Sequence, residues 1–132
     1  MDKSSLRVLV VEDSPAMRAY VTSSLESARP CEVVKASSGF EALKLLPRER
    51  FDLIVTDINM PDINGLELIR FIRQSPAHAE TPLVVISTDG AERDRDRGMK
   101  LGASAYLVKP FTPEQLIATV ERLLQPVPKP GK

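Results

Sequence analysis

Short apolar runs alternate along this chain with longer stretches of helical period. The runs Leu6–Val11, Cys31–Ala36, 53–56, Leu83–Ser87 and Ala105–Val108 have the length and β-branched content of strands. After the first come Met17, Val21, Leu25 and Ala28, spaced to share one face of a helix. A second helical stretch reaches Leu46, and a third carries Leu66, Ile69 and Ile72. A fourth spans 91–101, and the fifth aligns Leu116, Val120 and Leu123 or Leu124. The pattern predicts a β-α unit repeated five times.

Local signals fix where the helices start. Ser14 is a good N-cap, with Pro15 at the first helical position. Ser37 or Ser38 caps the second helix, and Pro47 helps to stop it. The third begins after Pro61-Asp62-Ile63-Asn64-Gly65. Thr112-Pro113-Glu114-Gln115 opens the fifth with a Thr cap, Pro at the next position and Gln two residues later. Five such units form a doubly wound parallel sheet of the α/β class, because parallel crossovers are right-handed. Strands 1, 3 and 4 read as apolar on both faces and belong in the centre; strands 2 and 5 are mixed, as edges are. The order 2-1-3-4-5 satisfies this.

That order gathers the polar residues closing the runs: Glu12 and Asp13 after the first, Asp57 after the third, Ser87 at the end of the fourth, Lys109 after the fifth. Open α/β sheets bind ligands at this edge, where the strand order reverses. Glu12-Asp13 alone could serve as an electrostatic device at a helix start. Asp57 alone could cap a loop. On adjacent strands, however, these carboxylates repel one another and call for a cation. Hard oxygen donors suit Mg2+ or Mn2+, and no His or Cys constellation suits zinc. A carboxylate beside such a metal can attack phosphorus; Lys109 and Ser87 could hold the phosphoryl oxygens.

Composition narrows the classes. The chain has 132 residues, 42% hydrophobic and 27% charged, the size and make-up of one soluble domain. Lys+Arg and Asp+Glu both total 18, so it lacks the basic excess of a direct nucleic-acid binder. The N-terminal apolar run is too short for a signal peptide or membrane span, and a cytoplasmic location is expected. Cys31, the only cysteine, is expected as a small buried or half-buried apolar residue at a strand start, and His78, the only histidine, as a solvated loop residue. The fourth helix carries Glu92-Arg93-Asp94-Arg95-Asp96-Arg97, either a solvated face or a polar partner surface. Pro126, Pro128 and Pro130 mark a tail over 126–132 after a domain over 1–125.

The segments Val10-Val11-Glu12-Asp13-Ser14, Ile54-Val55-Thr56-Asp57-Ile58-Asn59-Met60-Pro61-Asp62-Ile63-Asn64-Gly65, Ile86-Ser87-Thr88, Gly102-Ala103 and Tyr106-Leu107-Val108-Lys109-Pro110-Phe111, in that order, resemble the receiver domain of two-component response regulators. The stand-alone chemotaxis type is the nearest match. The resemblance implies a flavodoxin-like (β/α)5 fold. It implies Asp57 as phosphoacceptor and a metal site made by Glu12, Asp13, Asp57 and the Asn59 backbone carbonyl, with Asp13 the more direct ligand of the acid pair. Ser87 would be the switch hydroxyl, Tyr106 the switch aromatic and Lys109 the phosphate-pairing lysine, in a Lys109-Pro110 bond that is usually cis. Glu12 stands where many members carry Asp. Asn59 and Asp89 could orient a water that removes the phosphoryl group. The partners implied are a sensor histidine kinase and a downstream protein bound through the fourth helix, fifth strand and fifth helix, by a monomer that catalyses only its own phosphoryl transfer and dephosphorylation.

Other classes fit less well. A flavodoxin-type electron carrier needs a phosphate-cradling loop after strand 1, where Glu12-Asp13 would repel phosphate. A phosphohydrolase of the haloacid dehalogenase type needs a second acid at Asn59. A receiver acting as an unphosphorylated scaffold remains open; uptake of phosphate from a small donor separates it from a switch.

Overall fold

The computed structural model describes residues 5–88 and 92–124. The expectations at Asp89 and in the tail from Gln125 lie outside the described residues. The elements follow as β1 (Leu6–Val11), α1 (Pro15–Ala28), β2 (Cys31–Ala36), α2 (Gly39–Leu45), β3 (Leu53–Asp57), α3 (Gly65–Gln74), a short 3-10 turn (Pro76–His78), β4 (Leu83–Ser87), α4 (Glu92–Leu101), β5 (Ala105–Val108) and α5 (Pro113–Leu124). All pairings are parallel, and the sheet order is β2-β1-β3-β4-β5.

Period-two alternation divides each central strand between two cores. Leu9 and Val11, Ile54, and Leu83 and Val85 face α2 and α3, where Leu46, Leu68, Ile69 and Ile72 are buried. Val8 and Val10, Leu53 and Val55, and Val84 and Ile86 face α1 and α5, against Val21, Leu25, Leu116 and Val120. Burying each such side chain contributes about 1.5–3 kcal/mol. Slipping a strand by one residue would exchange its two faces, so the register is strongly held. Cys31 is half-buried against the second core, as expected, and burial pushes its thiol up.

The predicted caps form. Ser14 Oγ accepts from the Met17 N–H at 3.2 Å, and Ser38 Oγ from the Glu41 N–H at 3.1 Å. Thr112 and Gln115 exchange reciprocal bonds of 2.9 and 3.0 Å. Asn64, not foreseen as a cap, accepts from the Leu66 N–H at 2.8 Å. Two expectations fail. Ala28 is exposed rather than buried: Ser27, Ala28 and Ala118 are small and leave an open groove of about 590 Å3 between α1 and α5. His78 is not solvated but fully buried. The 3-10 turn folds it against Phe51, with ring centroids 5.8 Å apart and planes 26° apart, and its Nε2 accepts the Phe51 N–H at 3.3 Å. Among the described residues no helix is long and apolar enough to cross a membrane.

Candidate functional site

The sheet hydrogen bonding continues past the strands and carries the site residues with it. Val11 pairs with Thr56, Asp57 with Ile86 and Ser87 with Val108. One step beyond, the Glu12 N–H donates to the Ala36 carbonyl at 3.0 Å, Ile58 N–H to Ile86 at 3.1 Å and Lys109 N–H to Ser87 at 2.7 Å. Backbone ladders therefore fix where Glu12, Asp57 and Lys109 begin. The Lys109-Pro110 peptide is cis.

Glu12, Asp57 and Ser87 are buried, whereas Asp13 is exposed at the rim. One oxygen of each of Glu12, Asp13 and Asp57 lies within 4.8 Å of the others. Lys109 Nζ donates to Glu12 Oε1 at 3.1 Å and to Asp57 Oδ2 at 3.2 Å. The remaining oxygens are also held. Glu12 Oε2 accepts the Ser14 N–H at 3.0 Å, and Asp57 Oδ1 accepts the Asn59 N–H at 3.0 Å. Three ionised carboxylates against one ammonium leave two negative charges, which a divalent cation would balance. The donors are all hard oxygens, as Mg2+ prefers.

Electrostatics follow from burial. Removal from water pushes the Glu12 carboxyl up, against the Ser14 N–H and Lys109, which favour its charged form. Burial alone would lower Lys109, but its bond to Glu12 and the charges of Asp57 and Glu12 outweigh that and raise it. Lys109 is thus a permanent ammonium between two buried acids.

The other named residues fall around this centre. The Asn59 amide donates to Ser87 Oγ at 3.2 Å and to Thr88 Oγ1 at 3.5 Å. Tyr106 is half-buried beside the core that faces α2 and α3; a Cβ on Gly98 of α4 would meet its ring at 3.9 Å. Asp13, Asn59, Met60, Pro61, Asn64 and Arg97 help to line a cleft of about 690 Å3. Sequence reasoning did not single out three contributors. Arg18 donates to the Glu12 carbonyl at 2.7 Å, Arg97 reaches the cleft from α4, and Asp62 reaches α2. Arg18 could have been found as the first cation one turn past the Ser14 cap. Arg97 lay hidden in a charge run.

Comparison with known proteins agrees with this geometry. The model of the response regulator receiver domain matches residues 8–121. A chemotaxis protein CheY homolog of Campylobacter jejuni is 35% identical over 120 residues, covering 90% of this chain and 92% of its own length. The solved structure of chemotaxis response regulator CheY4 of Vibrio cholerae has a TM-score of 0.85 at 37% identity and covers 91% of this chain and 99% of that one. The receiver domain of sensor histidine kinase PA1611 from Pseudomonas aeruginosa, solved with a magnesium ion in its active site cleft, has a TM-score of 0.82 at 26% identity, covering 90% and 97%. With the sheet order, the acid cluster and the lysine all in register, the chain belongs to the response regulator receiver domain family, with chemotaxis CheY proteins among its relatives.

Proposed function

We propose that this receiver is a phosphorylation-dependent signalling switch, with Asp57 accepting a phosphoryl group from a sensor histidine kinase. The observation that carries this is the state of the Asp57 carboxylate. It is buried, one oxygen accepts the Asn59 N–H and the other accepts from the Lys109 ammonium. An Asp57 oxygen forms the new bond to phosphorus as the bond to the donor's histidine nitrogen breaks, and the electron pair leaves with that nitrogen. Glu12, Asp13, Asp57 and the Asn59 carbonyl would hold Mg2+, or Mn2+ in its place. The magnesium bound in the PA1611 receiver supports this reading. Such a metal neutralises charge on the phosphoryl oxygens during in-line transfer.

Lys109 can turn from Asp57 to a phosphoryl oxygen without leaving the cleft, since Glu12 keeps its second hydrogen bond. Ser87 offers its hydroxyl to another oxygen, and Tyr106 then packs further inward. The polar face of α4, β5 and α5 changes shape, and a downstream protein distinguishes the two forms. The protein acts as a monomer, and Asn59 and Asp89 tune the loss of the phosphoryl group. Intact-mass measurement after exposure to a small acyl phosphate and Mg2+ tests the acceptor. Wild type should gain one phosphoryl group and Asp57→Asn none; phosphate on a Ser or Thr would contradict the assignment.

A further inference from the structure

The loop between Asp57 and α3 is anchored at both its neck and its tip. At the neck, the Gly65 N–H donates to the Ile58 carbonyl at 3.1 Å, so tightly that a Cβ on Gly65 would lie 2.4 Å from the Ile58 Cα. At the tip, Asp62 Oδ2 accepts the Phe40 N–H at 2.9 Å, and Oδ1 accepts the Gly39 N–H at 3.3 Å. These are the first two N–H groups of α2, which have no partner within a helix. The third, on Glu41, is taken by Ser38. Ile63 packs against the same place, where a Cβ on Gly39 would sit 1.7 Å from its Cγ2. A carboxylate from the acceptor loop thus completes the cap of a helix more than twenty residues upstream, and Asn59 lies between the two anchors.

We propose that Asp62 is a positioning residue for the acceptor cleft: by clamping the loop tip to α2 it fixes the place from which Asn59 offers its carbonyl to the metal. This rests on the Mg2+ reading given under the proposed function. Clamped at both ends, the loop has little freedom to carry Asn59 away from Asp57. Released at the tip, it hinges about Ile58 and Gly65, and the Asn59 carbonyl samples positions outside the site.

Mg2+ titration at constant ionic strength, followed by the amide shifts of Asp13, Asp57 and Asn59, tests this with Asp62→Ala, Asp62→Asn and Ser38→Ala. Ser38→Ala removes a cap from the same helix without touching the loop, so it controls for loss of α2 stability, read as thermal unfolding. Asp62→Ala should weaken Mg2+ binding by about threefold to tenfold, at or below the low end of what outer partners of a metal site contribute. Ser38→Ala should bind as wild type does, and Asp62→Asn, uncharged but keeping one acceptor oxygen, should recover most of the affinity. Equal losses in Asp62→Ala and Ser38→Ala would reduce Asp62 to a helix cap and overturn the proposal. A loss in Asp62→Asn as large as in Asp62→Ala would assign the effect to charge at a distance and overturn it too. Wild type without Mg2+-dependent shifts would sink the metal reading itself, whereas wild-type binding with an unchanged Asp62→Ala sinks only the clamp.

Discussion

The side-chain amide of Asn59 donates to the Ser87 hydroxyl oxygen at 3.2 Å, tying the loop after β3 to the end of β4. The Asn59 backbone N–H meanwhile holds Asp57. One residue therefore touches both Asp57, the proposed acceptor, and the hydroxyl that would follow it. Ser87→Ala removes the nearer acceptor of the amide and the proposed donor to a phosphoryl oxygen, while Asp57 keeps its bonds to Asn59 and Lys109. This variant should still take up phosphate at Asp57. On forming a beryllofluoride adduct, its amide shift changes in α4, β5 and α5 should shrink relative to wild type. Unchanged propagation would remove Ser87 from the switch.

Among the described residues, Lys109 is the one cation bonded to both Glu12 and Asp57. Lys109→Met keeps most of the length of the side chain and deletes the charge, leaving two buried carboxylates without their shared cation. Without metal the loss should reach about 3–5 kcal/mol, as when one partner of a buried pair is removed. Further protonation of Glu12, whose carboxyl burial already pushes up, softens it. Because the ammonium no longer competes for those oxygens, Mg2+ should stabilise the variant more than wild type. Denaturant unfolding with and without Mg2+ checks both; equal stabilisation would show that Lys109 does not oppose the metal.

His78 yields a pH dependence remote from the site. Its burial, then the positive charges of Arg50 and Arg73, lower its pKa below the ordinary 6.5. Nε2 is occupied as an acceptor of the Phe51 N–H, so protonation there breaks that bond. The unfolded chain binds this proton below about pH 6.5, and the folded chain only at lower pH. The unfolded state thus carries more protons between the two values, and stability falls as pH drops through that window. Above it His78 is neutral in both states and adds no slope. In His78→Gln, whose amide oxygen can accept the same N–H, that part of the decline should vanish. Parallel curves for the two proteins from pH 7 to 5 would contradict the buried neutral imidazole.

Gly65→Ala should act on stability and on the cleft together. The new Cβ would meet Ile58 backbone atoms at 2.4 and 2.6 Å, and backbone cannot swing aside as a side chain can. A cost of about 1–3 kcal/mol is expected from such overpacking, with weaker Mg2+ binding because Asn59 rides on the displaced loop. A folded variant with wild-type affinity would show that the neck of the loop does not position Asn59.

The sequence by itself determined the β-α alternation, the strand order and the strand ends that carry Glu12, Asp13, Asp57, Ser87 and Lys109. These follow from periods and caps, which are local: Val8 to Val11 are apolar on both faces wherever they sit, and Ser14-Pro15 starts a helix in any context. Tertiary structure alone decided which of those residues touch. Glu12 and Lys109 meet across 97 positions, and Asn59 and Ser87 across 28, through rotamers and register that no local pattern encodes. It also decided the cases in which a loop meets a distant surface. His78 reads as solvated because it lies in a loop-like stretch with no partner in view, and it is buried because the 3-10 turn delivers it to Phe51. Asp62 stands out in the sequence only as part of the stretch before α3, and it caps α2 because Gly39 has no side chain to keep the loop away. Burial and long-range hydrogen bonds are properties of two segments at once, and the sequence displays each segment separately.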